Sequence, residues 1–89
     1  MRENLRLSPE ETARLLRLYA ETRESRYRDR VVEGHLYIAE IIARRFSGRG
    51  VDYDDLFQVA ALALTRAAER FDPERGVQFA SFVTPSMVG

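Results

Sequence analysis

Few side chains in this sequence are grouped so that they could act together. His35 is the single histidine and there is no cysteine, so it has no partner of its own kind for a metal site. It falls in the middle of an apolar stripe, where a hydrogen-bonded core histidine is the expectation rather than a ligand or a base. The run Asp52-Tyr53-Asp54-Asp55 opens like a calcium loop. Position six of such a loop would be Phe57 instead of Gly, however, and position twelve Ala63 instead of Glu. These carboxylates fit a helix start better. Asp72 and Glu74 flank Pro73 and read as solvated turn residues. No nucleophile–base pair, glycine-rich phosphate loop or paired-carboxylate constellation is present, so no enzyme, no metal and no cofactor is expected. Phe79 and Phe82, with hydroxyls at Ser81 and Thr84, leave two readings open. They are either core and cap, or a platform on which unpaired bases stack. A platform normally lies beside a basic track, and beyond Phe71 the chain has only Arg75.

Helices must position these groups. Ser8-Pro9-Glu10-Glu11 is a helix start: a hydroxyl cap, Pro at the first helical position and Glu three residues after the cap. The first helix carries Leu15, Leu16, Tyr19 and Ala20 on one side and ends between Arg23 and Arg26. A second is predicted from about Tyr27 to Phe46. Val31, Val32, Ile38, Ala39, Ile42 and Phe46 form its apolar stripe, while Glu33, Tyr37, Glu40 and Arg44 face away. Ser47-Gly48-Arg49-Gly50 stops it. Asp52 is the expected cap of a third helix, with Asp54 and Asp55 where the helix dipole favours negative charge. Asp72-Pro73-Glu74-Arg75-Gly76 ends that helix near Phe71. A fourth, capped by Ser81 and carrying Pro85, is preferred to an extended Val77-Gln78-Phe79. The fold class is therefore all-α, a small bundle of about four helices in one domain over residues 1–89, with residues 1–26 as an N-terminal helix.

The third helix carries the most information. With residues about 100° apart, Leu56, Ala60, Ala63, Leu64, Ala67 and Phe71 gather on one face. Asp54, Asp55, Gln58, Ala61, Leu62, Thr65, Arg66 and Glu69 gather on the other. The first is a core stripe of small residues that lets a neighbouring helix come close. The second is polar except at its middle, where Leu62 and Ala61 stand with Val59 at the edge. An apolar centre inside a polar rim is the anatomy of a protein-binding patch. A single exposed Leu, or one covered by the first helix, is the plainer alternative.

Composition sets the outer limits. Eighty-nine residues have room for one core. Fourteen basic residues, all Arg, balance fourteen acidic ones. Residues 1–50 hold eleven Arg against eight acids, a net +3, and residues 51–89 hold three against six, a net −3. The absence of cysteine suits a reducing compartment, and no apolar run approaches the ~20 residues of a membrane span, so a cytoplasmic location without membrane association is expected.

Several spaced motifs lie in order along the chain, Val31-Val32-Glu33-Gly34-His35-Leu36-Tyr37-Ile38-Ala39 first, then Asp54-Asp55-Leu56-Phe57-Gln58-Val59-Ala60, then Phe71-Asp72-Pro73-Glu74-Arg75-Gly76, and together they resemble the second conserved region of bacterial RNA polymerase sigma factors. Val31-Val32-Glu33-Gly34-His35-Leu36-Tyr37-Ile38-Ala39, followed by Ile42-Ala43-Arg44-Arg45-Phe46, is similar to its opening helix. Asp54-Asp55-Leu56-Phe57-Gln58-Val59-Ala60 resembles the family's Asp-Leu-x-Gln-x-Gly polymerase-binding motif. Phe71-Asp72-Pro73-Glu74-Arg75-Gly76-Val77-Gln78-Phe79-Ala80-Ser81-Phe82 resembles its Arg-Phe-Asp-Pro-x-x-Gly-x-x-Phe-x-x-aromatic signature. The ending Thr84-Pro85-Ser86-Met87-Val88-Gly89 is similar to the general-stress and sporulation subgroup. The resemblance spans about residues 29–89 and implies a non-enzymatic transcription initiation factor. It implies docking on core RNA polymerase, at the coiled coil of the largest subunit, through Asp55, Gln58, Val59, Ala61, Leu62 and Thr65. It also implies that Phe79, Ser81, Phe82 and Thr84 begin the segment that captures a flipped base of the minus-ten promoter DNA.

The departures matter as well. Ala60 and Ala63 replace residues that are usually Gly in the family, and His35 replaces its usual Asn. Val59 and Ala61 stand where an acid and an amide are common, which makes the binding face greasier. Pro85 stands where primary sigma factors carry a Trp used in melting, a change shared with the stress subgroup. The chain stops at Gly89, before the basic and aromatic residues expected to follow, so a fragment that docks on polymerase without recognising a promoter is expected. The alternative is a free-standing helical interaction module bound by an anti-sigma factor.

Overall fold

The computed structural model describes residues 6–88, with side chains described as far as Val83. Among these residues it is all-helical: α1 (Pro9–Thr22), α2 (Ser25–Gly34), α3 (Leu36–Phe46), α4 (Tyr53–Arg70), a 3₁₀ turn (Pro73–Arg75) and α5 (Phe79–Val88).

The start of α1 follows its cap signals. Ser8 Oγ accepts a hydrogen bond from the Glu11 backbone N–H at 3.1 Å, and Pro9 occupies the first turn. The helix ends when Arg23 takes the left-handed conformation (φ 58°), its N–H bonding the Tyr19 carbonyl at 2.7 Å. The Arg23 guanidinium then lies over the Tyr19 ring, 4.3 Å from its centre. Leu15, Leu16 and Tyr19 are buried as expected, whereas Ala20 is exposed.

The single second helix expected over residues 27–46 is two helices, broken at His35 (φ −120°, ψ 11°). In an unbroken helix the Val31 carbonyl would accept from the His35 backbone N–H. Here that N–H turns to the Val32 carbonyl at 3.0 Å, and the His35 ring takes its place, with Nδ1 2.7 Å from the Val31 oxygen. The side chain thus satisfies the acceptor that the break would orphan. Beyond the break Tyr37 does not face away. It is half-buried, packs on the core, and carries the Arg6 guanidinium 4.1 Å from its ring centre.

The core is built from Leu15 and Leu16 of α1, Val31 of α2, Ile38 and Ala39 of α3, Ala60, Leu64, Ala67 and Ala68 of α4, and Phe79 and Val83 of α5. The α3–α4 pair shares the most extensive contact. Ala39, Ala43, Ala60 and Ala67 are all buried, so these two helices carry methyl groups where larger side chains would hold them apart. Arg28 ties α2 to α4: Nη1 reaches Glu69 Oε2 at 3.0 Å, while Nε and Nη2 hold Asp29 Oδ1 at 3.0 and 2.9 Å. Hydrogen bonding to Asp29 is the main influence that raises the Arg28 pKa, with Glu69 adding to it.

Asp52 stands at the N-cap of α4 as expected, and its carbonyl accepts from Leu56 N–H at 3.1 Å, but its carboxylate makes no capping bond. Asp72 does cap the next turn, Oδ1 accepting from Glu74 N–H at 3.0 Å. Gly76 closes that turn at φ 79°, a conformation that favours glycine. The last helix begins at Phe79, with Gln78 supplying the first carbonyl to Phe82 N–H at 3.0 Å. Ser81 is therefore inside the first turn and is not the cap, and Pro85 lies within the helix.

Candidate functional site

The inward side of α4 buries Ala60, Leu64, Ala67 and Ala68, and leaves Leu56, Ala63 and Phe71 half-buried at its margins. The helix runs eighteen residues with acidic residues in its first turn and Arg70 in its last, both favourable to its dipole. Anchoring along the inward side fixes the rotation of the helix, and that fixes what points outward.

The outward side brings the six expected residues onto one surface. Asp55 and Gln58 are exposed one turn apart, and Val59 and Leu62 follow at 67 % and 52 % exposure. Ala61 and Thr65 are half-buried beside them. From Asp55 to Thr65 the face is about 15 Å long at ~1.5 Å per residue. The Thr65 hydroxyl donates to the Ala61 carbonyl at 3.1 Å, so it faces a partner chiefly with its methyl group and remaining lone pairs. Val59, placed at the edge of the face by the helical wheel, is the most exposed large apolar residue described. The first helix does not cover Leu62.

The second expected group divides. Phe79 is only 3 % exposed. It meets the His35 ring edge-on at 4.9 Å and the Phe71 ring at 5.6 Å. A ring so enclosed has no free face for a base, so Phe79 takes the core alternative left open by the sequence. Phe82 is half-buried and packs edge-on against Phe71 at 5.3 Å, while Ser81 is exposed. The side chain of Thr84, the fourth residue of this set, lies outside the described residues.

His35 is a core residue, 5 % exposed. Val31 O can only accept, so Nδ1 carries the ring hydrogen and Nε2 keeps its lone pair. Burial pushes the pKa of the ring below its ordinary 6.5, against the smaller upward pull of the Val31 carbonyl. The unfolded chain then binds the proton at a higher pH than the folded one. Stability is therefore full above about pH 6.5 and declines as pH falls from there towards the folded pKa. A urea midpoint that is level from about pH 8 to 7 and drops by pH 5.5 is expected, with His35→Asn removing that part of the slope. Equal wild-type midpoints at pH 7.5 and 5.5 would contradict a buried neutral ring. Among the described residues no group of three or more His, Asp or Glu is placed to hold a metal ion, and no helix is long and apolar enough to cross a membrane.

Comparison with known proteins shows the family of this chain. The family model for sigma-70 region 2 matches residues 31–89. The chain belongs to the sigma-70 region 2 family. It is 50 % identical over 64 residues to RNA polymerase sigma factor SigF of Mycobacterium tuberculosis, covering 72 % of this chain and 24 % of that protein. It is 44 % identical over 69 residues to the RNA polymerase sigma-F factor of Kitasatospora aureofaciens, covering 76 % and 23 %. To the sigma-G factor of Bacillus subtilis it is 31 % identical over 83 residues, covering 93 % and 32 %. The sigma-F and sigma-G relatives agree with the general-stress and sporulation-like subgroup. The chain spans about a quarter to a third of the length of these curated relatives.

Proposed function

We propose that this chain is the polymerase-docking unit of a sigma-type transcription initiation factor acting in the cytoplasm. Its α4 seats Asp55, Gln58, Val59, Ala61, Leu62 and Thr65 on the coiled coil of the largest subunit of core RNA polymerase. The observation that carries this reading is the outward face of α4. Two large apolar side chains stand in water on it, Val59 within the stretch that resembles the family's polymerase-binding motif and Leu62 two residues past that stretch, on a helix whose other side is buried. Leu62 is the apolar anchor, while Asp55 and Gln58 set the register along the coiled coil. Ser81, Phe82 and Thr84 begin the segment that meets the minus-ten strand, and Phe79 supports that segment from the core.

The test is capture of purified core RNA polymerase by the immobilised 89-residue chain. Saturable capture, competed by a full-length sigma-F relative, is expected. A folded chain that retains no polymerase would overturn the proposal.

A further inference from the structure

A cleft of about 450 Å³ lies between α1 and the turn that leads into α5. That volume is within the range of small-molecule sites, roughly 300–1,000 Å³. Its walls are mainly apolar, with Leu16 on the α1 side, Tyr37 from α3, and Phe71 and Val77 from the approach to α5. Two buried polar side chains stand in the same lining, Thr12 and His35, alongside the half-buried Tyr37 and the exposed Gln78.

Thr12 is 4 % exposed, and its Oγ1 is buried with no hydrogen-bond partner among the described residues. A buried hydroxyl left unpaired is unfavourable by about 1–3 kcal/mol. The hydroxyl has no existing hydrogen bond to lose on meeting a ligand. His35 has its Nδ1–H committed to Val31 O, so the ring can offer only the Nε2 lone pair. The buried polar side chains of the lining therefore supply one donor and one acceptor among aromatic and aliphatic walls.

We propose that this cleft binds a small aromatic molecule carrying one hydroxyl group. A phenolic oxygen accepts from Thr12 Oγ1–H while its own hydrogen goes to His35 Nε2, and the ring lies between Tyr37, Phe71 and Leu16. The match to the sigma-70 region 2 model begins at Val31, so the α1 wall of the cleft is not part of what that match describes. A ligand there would bridge α1 and the approach to α5, stiffening the start of the DNA-facing segment.

Phenol and toluene, added separately to the isotope-labelled 89-residue chain and followed by amide NMR, test the proposal. Phenol is expected to shift the Thr12, Ala13, Val77 and Gln78 amides saturably. Toluene is expected to bind roughly five- to 150-fold more weakly, the worth of two hydrogen bonds. Thr12→Val should melt no lower than the wild type, because it removes an unpaired hydroxyl, and should reduce the preference for phenol over toluene to the worth of the one bond left to His35, roughly three- to tenfold. Thr12→Ser should keep the preference. Shifts that do not saturate, shifts centred on Val59 and Leu62, or equal affinities for phenol and toluene in the wild type would each overturn it. The last comparison needs no variant to fold.

Discussion

Leu62→Ala is expected to weaken binding to core RNA polymerase by about thirtyfold or more while leaving helicity and melting unchanged. The size follows from the worth of a central apolar anchor, about 2 kcal/mol or more on truncation. The unchanged fold follows from position. Leu62 is half exposed and belongs to no part of the core, and Ala is the better helix former at that site. Its neighbours sharpen the comparison. Gln58 and Ala61 share its face, whereas Leu64, two residues on, is completely buried. A truncation at 64 acts through folding, so only the variant at 62 separates docking from stability. Polymerase capture measured beside circular dichroism decides it. Undiminished capture by Leu62→Ala would remove α4 as the docking face.

Phe79→Ala is expected to lower the folding free energy by about 3–5 kcal/mol, the usual range for deleting a buried aromatic ring. The loss has identifiable parts. The ring fills the core at the start of α5, and it makes edge contacts with both His35 and Phe71. Each such pair contributes about 0.5–1.5 kcal/mol beyond the buried area. A domain of this length has a total stability of roughly 4–13 kcal/mol, so the variant forfeits a large share of it. Urea denaturation measures the change directly, with Ser81→Ala as a control that leaves stability nearly unaltered. If Phe79→Ala unfolded at the wild-type midpoint, the ring would be free to stack on a base after all.

How much of this could be seen in advance depended on whether the signal was local. The beginning of α1 was legible because a capping serine and a proline act on the few residues beside them. The α4 face was legible because one uninterrupted period runs through eighteen residues. The break at His35 was not, because a one-residue kink leaves Val31 and Ile38 both pointing inward and the apolar stripe reads straight through it. The side-chain bond that makes the break tolerable depends on the fold. The start of α5 was misplaced by three residues because a serine suggested a cap at 81, while the helix begins at Phe79. That the residues proposed to dock share one face was readable from helical angles and motif together. The cleft was not readable at all, since its walls come from segments some sixty residues apart and its unpaired hydroxyl is a property of packing.

The exposed valine at 59 has an entropic meaning. An acidic side chain in its place would surrender close to 2 kcal/mol of rotamer freedom when pinned against a partner. Valine on a helix already holds one dominant rotamer. Leucine adds a loss of only about 0.5–1 kcal/mol on full ordering. The helix beneath them is itself held along the core, so little of the backbone remains to be ordered. The surface is in effect preorganised: a partner would meet it in the shape it already has, and more of the contact energy would survive as affinity.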